Sequence, residues 1–262
     1  MSNKRLMADS SFALVNGSMW IGIPKTATTS LSSVFNRFPK TYYEDNSEFL
    51  KNERTVTPKK IWCIWRDPWQ RWLSAVMQDY ELKFDLGRVT PSGDKNHRQM
   101  DYQEIVSLVK DLRLKWKFNT ANLRNKMFQH SSLYVARYIT LLWKLTNERH
   151  NCPILEIYPI SKINDAIKTH LNINYRSRYR HDKVPNLNKS HQINLDRLDM
   201  ILKEKKFYNK WKEQFEEDIN LNEMISNVSK GTLFNKTEWN EKVLFKYGLH
   251  LDHYFKKISL DF

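Results

Sequence analysis

The chain has 262 residues, 40% of them hydrophobic, which is enough apolar surface for a core and excludes an intrinsically disordered chain. With 43 Lys and Arg against 29 Asp and Glu, the formal charge is +14, so the favoured partners are anions: nucleotides, sulfated or acidic sugars, nucleic acid or a membrane surface. No apolar stretch reaches the length of a membrane span and residues 1–16 hold no long apolar segment of the signal-peptide kind, so a cytoplasmic protein is expected.

In chain order, the first strand is expected over residues 19–23, a near-continuous apolar run ending at Pro24. A helix follows over 31–38, then a short strand over 41–43. A second apolar run predicts a strand over 60–65 and, after Asp67-Pro68, a helix over 69–82. Asp67 is suited to cap that helix, and Pro68 to occupy its first position. Polar residues with Gly87, Pro91 and Gly93 predict a surface loop over 87–98. Helices are expected over 102–117 and 132–145, a strand over 154–158, and a helix over 162–171. Basic residues mixed with Pro185 and Asn186 read as a second long loop over 176–191, followed by helices over 195–205 and 208–219. Strands alternating with helices predict an α/β fold with a mainly parallel sheet, in which ligands bind at the C-terminal strand ends. One domain over 1–262 is expected, with residues 221–262 a weakly helical C-terminal extension.

Cys63 and Cys152 lie in apolar, strand-like runs without metal-ligand spacing. They read as buried thiols in a reducing compartment, and no metal site is implied. Nine tryptophans exceed the usual needs of a core, so some are expected to line a groove. Asn16-Gly17-Ser18 and three later Asn-x-Ser/Thr triplets fit the glycosylation pattern but mean little without a secretory signal.

Two motifs carry chemistry. The first, Pro24-Lys25-Thr26-Ala27-Thr28-Thr29-Ser30, joins an apolar strand to a helix. A helix start has unpaired amides and the positive end of a dipole; Lys25 adds a point charge and the hydroxyls add donors. The loop therefore suits a phosphate-like dianion. It lacks the glycines that wrap a triphosphate, because Ile23 and Pro24 stand between Gly22 and Lys25. The second motif is Arg66-Asp67-Pro68-Trp69-Gln70-Arg71-Trp72-Leu73-Ser74-Ala75. It sets a guanidinium at a strand end and a hydroxyl about two turns into the next helix, a pair able to grip a second phosphate.

Taken together and in this order, the motifs resemble the sulfotransferase family, particularly its carbohydrate branch, which uses 3′-phosphoadenosine 5′-phosphosulfate (PAPS) and releases 3′-phosphoadenosine 5′-phosphate (PAP). Weaker likenesses are Gln129 to Tyr134, Ile154 to Tyr158 with Ser161, Lys162 and Ile163, and Pro185 to Ser190, so that the match covers residues 18–220. The resemblance implies a P-loop-like three-layer fold. It implies that Lys25, Thr26, Ala27, Thr28, Thr29 and Ser30 bind the 5′ phosphosulfate, that Arg66 and Ser74 bind the 3′-phosphate, and that a basic loop with Lys189 and Ser190 closes over the nucleotide. Ala27 departs from the family, which commonly has glycine or another small residue there.

The implied reaction is in-line transfer of a sulfuryl group to an acceptor hydroxyl or amine, on a saccharide in the branch resembled. Lys25 would stabilise charge building on the bridging oxygen. The family's general base is a His or Glu between the two motifs; no histidine lies between Ser30 and Arg66. Glu44 is chosen, with Asp45, Glu48, His97 and His130 in reserve. The rival readings are a P-loop small-molecule kinase, disfavoured by the missing glycines, and a non-catalytic basic module for nucleic acid.

Overall fold

A computed structural model describes residues 12–38, 42–43, 58–84, 100–115, 135–136, 138–140, 143, 154–174, 185–204, 207–226 and 231–242. The chain divides into two compact units. One combines Met1–Arg66, Tyr134–Ser177 and Glu217–Phe262; the other combines Asp67–Leu133 and Arg178–Glu216.

The first unit is α/β. Its strands are β1 (Phe12–Val15), β2 (Ser18–Ile21), β3 (Tyr42–Tyr43), β4 (Lys60–Trp65), β5 (Leu155–Pro159) and β6 (Thr232–Phe234). They form one sheet in the order β3-β1-β2-β4-β5-β6. Only β2-β4 and β4-β5 pair in parallel; β3-β1, β1-β2 and β5-β6 are antiparallel. The expected mainly parallel sheet is thus a mixed sheet with a parallel centre.

The reason is local. Asn16 and Gly17 both have positive φ, 53° and 76°, and join β1 to β2 as a two-residue turn. That conformation matches the twist of a hairpin and favours Asn-Gly. It pairs Val15 with Ser18 and Phe12 with Ile21. The triplet with a glycosylation pattern therefore makes a hairpin, and β1 was not among the expected strands. At the other side lie residues 231–242 of the expected C-terminal extension. They add β6 to the sheet and form helix α8 (Lys236–Lys242), whose Trp239 is buried and donates to Thr140 Oγ1 at 2.7 Å.

The parallel strands are buried on both faces, as their continuous apolar sequence requires. On one face Trp20, Trp62, Ile64 and Tyr158 pack against Leu31, Val34 and Phe35 of helix α1 (Thr28–Phe35). Ile163, Ala166, Ile167 and Leu171 of helix α4 (Ile163–Leu171) cover the rest of that face. On the other face Met19, Ile21, Ile61, Cys63, Leu155 and Ile157 are also buried. There Trp65 Nε1 donates to Asn222 of helix α7 (Glu216–Ser226) at 3.0 Å. Cys63 is a fully buried free thiol, raised by burial well above the usual range and hence inert; Cys152 lies outside the described residues.

In the second unit, helix α2 (Pro68–Phe84) begins as the sequence implies: Asp67 Oδ1 accepts the Gln70 amide at 2.8 Å, and Pro68 takes the first helical position. Helix α3 (Tyr102–Lys115) opens with a reciprocal box between Asp101 and Glu104. Helix α5 (Pro185–Glu204) starts ten residues before the expected 195, so residues 185–191 are helical and not part of a loop. Pro185 is pre-set for a helix start, and no breaker follows it before Glu204. The expected helix over 208–219 is two helices, α6 (Phe207–Gln214) and α7, separated at Phe215.

Trp69 stacks on Trp72 at 5.2 Å and meets Trp211 and Tyr208 edge-on, both at 4.8 Å. All eight described tryptophans are buried. They are core residues, contrary to the expectation that some line a groove; a large ring contributes most when wholly removed from water.

Candidate anion-binding edge of the sheet

The turn after β2 is tight. Pro24 occupies its second position, Lys25 has φ 68°, and the Thr26 amide donates to Ile23 O at 3.2 Å. Proline followed by a positive φ marks a type II turn, where the third residue is usually glycine. Thr26 is 2% exposed, and its hydroxyl also donates to Ile23 O, at 2.8 Å. The hydroxyl named from the sequence as a ligand is therefore spent on bracing the turn, because a buried donor must find a partner.

Ala27 follows with φ 66° and ψ 23° and is the N-cap of α1, without a side-chain cap. Two L-residues close together in the left-handed region cost roughly 1–2 kcal/mol each, and such strain collects at functional sites. Leu31 is the first residue of α1 whose amide bonds back into the helix, to Ala27 O at 3.0 Å. The amides of Thr28, Thr29 and Ser30 precede it, at the positive end of the helix dipole. A left-handed residue followed by a right-handed one also turns successive amides toward a common concavity that suits an anion. Lys25 and Thr28 are half-buried at this turn.

Arg66 is the first residue beyond β4 and is half-buried. Because β4 runs parallel to β2 as its neighbour, Arg66 and the Lys25 turn leave the same edge of the sheet. β3 ends at that edge too: Tyr43 and Ile21 both stand opposite Phe12, two strand spacings or roughly 10 Å apart. Glu44 follows Tyr43 in sequence but lies outside the described residues, as do Asp45, Glu48, His97 and His130. Ser74 lies in the second unit, 6% exposed, about two turns into α2. Lys189 and Ser190 lie in the first turns of α5 and not in a loop.

Sequence reasoning passed over a second polar group in the first unit, formed by Ser18, Glu156, Tyr158 and His170. Tyr158 donates to Glu156 Oε1 at 2.6 Å, His170 Nε2 lies 3.3 Å from Glu156 Oε2, and His170 Nδ1 lies 3.2 Å from Ser18 Oγ. Burial by itself would raise the Glu156 carboxyl. The adjacent His170 and the Tyr158 hydrogen bond, with the charge of Lys60, instead hold it below its ordinary value. The available signal was a glutamate between Leu155 and Ile157 in an otherwise apolar strand, which requires a buried partner.

Among the described residues, no group of three or more His, Cys, Asp or Glu could hold a metal ion, and no helix is long and apolar enough to cross a membrane. No protein-family model, no curated protein and no solved structure matches the chain.

Proposed function

We propose that the protein is a sulfotransferase that moves a sulfuryl group from PAPS to a hydroxyl or amine of a saccharide. The observation that carries the reading is the turn from Ile23 to Ala27. It holds two non-glycine residues in the left-handed region, turning backbone amides and Lys25 into an anion cradle at the head of α1. In this reading the amides of Thr28, Thr29 and Ser30 take the phosphosulfate, and Lys25 neutralises the charge that grows on the bridging oxygen as the S–O bond breaks. Arg66 and Ser74 take the 3′-phosphate, as the resemblance implies, and Lys189 and Ser190 are carried by the resemblance alone. Glu44, one residue past the end of β3, removes the acceptor's proton. The P-loop-like character of the fold belongs to the same proposal.

A thermal-shift titration tests it. A ligand that binds the folded state raises the melting temperature in proportion to the logarithm of its concentration above Kd, by about 2.7 kcal/mol of stabilisation at one hundred times Kd. PAP is expected to raise the melting temperature and ATP to leave it nearly unchanged. A shift with ATP alone supports a kinase, and affinity for nucleic acid without a PAP shift supports the binding module; either result ends the sulfotransferase reading.

A further inference from the structure

The group around His170 stands at the opposite edge of the sheet from Lys25. Ser18 opens β2 and Lys60 opens β4, and the two are register partners, roughly 5 Å apart at their Cα atoms. Two residues on, Trp62 is the register partner of Glu156. Side chains alternate along a strand, so Ser18, Lys60, Trp62, Glu156 and Tyr158 share one face. His170 of α4 lies over that face, its ring stacked on Trp62 at 4.7 Å and 4° and met edge-on by Tyr158 at 5.7 Å. The imidazole is thus locked, 2% exposed, between a carboxylate that Tyr158 braces and a half-buried hydroxyl.

We propose that Ser18 is a nucleophile, with His170 as its general base and Glu156 orienting the imidazole, and that this edge of the sheet cleaves small carboxylic esters. Glu156 Oε2 stands 3.3 Å from Nε2, and its charge favours the tautomer protonated there, which leaves Nδ1, 3.2 Å from Ser18 Oγ, to accept the Ser18 proton. The Ser18 Oγ–carbon bond forms as its proton passes to His170 Nδ1. The bond to the leaving alcohol then breaks, and that alcohol takes the proton from His170. Water repeats the cycle, releasing the acid and restoring Ser18. Lys60, the register partner of Ser18, offers a cation for the oxyanion. Glu156 acts through His170 and is a positioning residue. The site is independent of the Lys25 turn and of the sulfotransferase reading.

The test is covalent labelling of the full chain with a fluorophosphonate. Ser18 Oγ bonds to phosphorus, fluoride leaves, and the hydroxyl proton departs through His170. Intact mass and peptide mapping are expected to give one adduct, on Ser18 and absent in Ser18→Ala. The native chain should label about 100-fold faster than the same chain in concentrated urea, the contribution of a positioned general base. No adduct on native Ser18, or a rate no greater than in urea, overturns the proposal. The urea comparison reads the effect of the folded geometry without a variant that must fold.

Discussion

Replacing Ala27 by glycine should stabilise the protein. Ala27 caps α1 with φ 66° and ψ 23° and has no side-chain cap bond to lose. An L-residue in this region costs roughly 1–2 kcal/mol, which glycine does not incur. Against that, glycine loses more backbone freedom on folding, about 0.4–1 kcal/mol. The half-buried Ala27 methyl, packed against the core, is lost as well, at about 0.4 kcal/mol. The balance is about 0.5 kcal/mol in favour of glycine, the same sign as the general preference for glycine over alanine at N-caps. For a chain of this size that corresponds to a rise of about 1–2 °C. Differential scanning calorimetry of the ligand-free protein, with Ala27→Val as the opposing control, checks it. The valine variant should melt below wild type, since a branched side chain tolerates this conformation worst. If Ala27→Gly melts at or below wild type, position 27 is not in the left-handed region, and the anion cradle loses its geometric basis.

The other predictions concern chemistry and packing. Lys25→Ala should lower turnover by about 10²–10³-fold with an unchanged melting temperature, measured as sulfuryl transfer from PAPS; near-normal turnover would remove Lys25 from catalysis. Glu44→Gln should lose activity while keeping the PAP-induced shift in melting temperature, and full activity would reject it as the base. At Gly231 an added Cβ would stand 2.6 Å from Tyr158 Cζ and 2.8 Å from Glu156 Oε1, so Gly231→Ala should cost about 1–3 kcal/mol in urea denaturation. The Glu156 carboxyl is held below its ordinary value of 4.5, so the stability it contributes is complete above that pH and is lost as pH falls through its lower, folded value. The difference in urea midpoint between wild type and Glu156→Gln should therefore narrow on acidification below about pH 4.5, and a constant difference down to strongly acid pH would contradict the assignment.

Much of the centre of the sheet can be read without coordinates. The β4 run from Lys60 to Trp65 and the Asp67-Pro68 start of α2 follow from apolar continuity and capping chemistry, both carried by adjacent residues. The turn at Pro24 and Lys25 is equally local. Position 27 acquires a meaning only from φ: an alanine, where the resembled family commonly has glycine or another small residue, stands here in the left-handed region. The Asn16-Gly17 turn is local as well, but it shares its residues with a glycosylation pattern that says nothing about pairing.

Other features depend on partners far along the chain. Thr26 carries a hydroxyl suited to an anion, and only its burial against Ile23 O commits it to the turn. The cluster of Ser18, Glu156 and His170 joins β2 to β5 and α4 across more than a hundred residues, and no short window of sequence contains it. β6 finds its place by pairing with β5, since three residues are too few to declare a strand alone. Periodicity, caps and turns are properties of neighbouring residues and can be read from the chain itself. Register, burial and proton sharing between distant side chains exist only once the strands have been laid side by side.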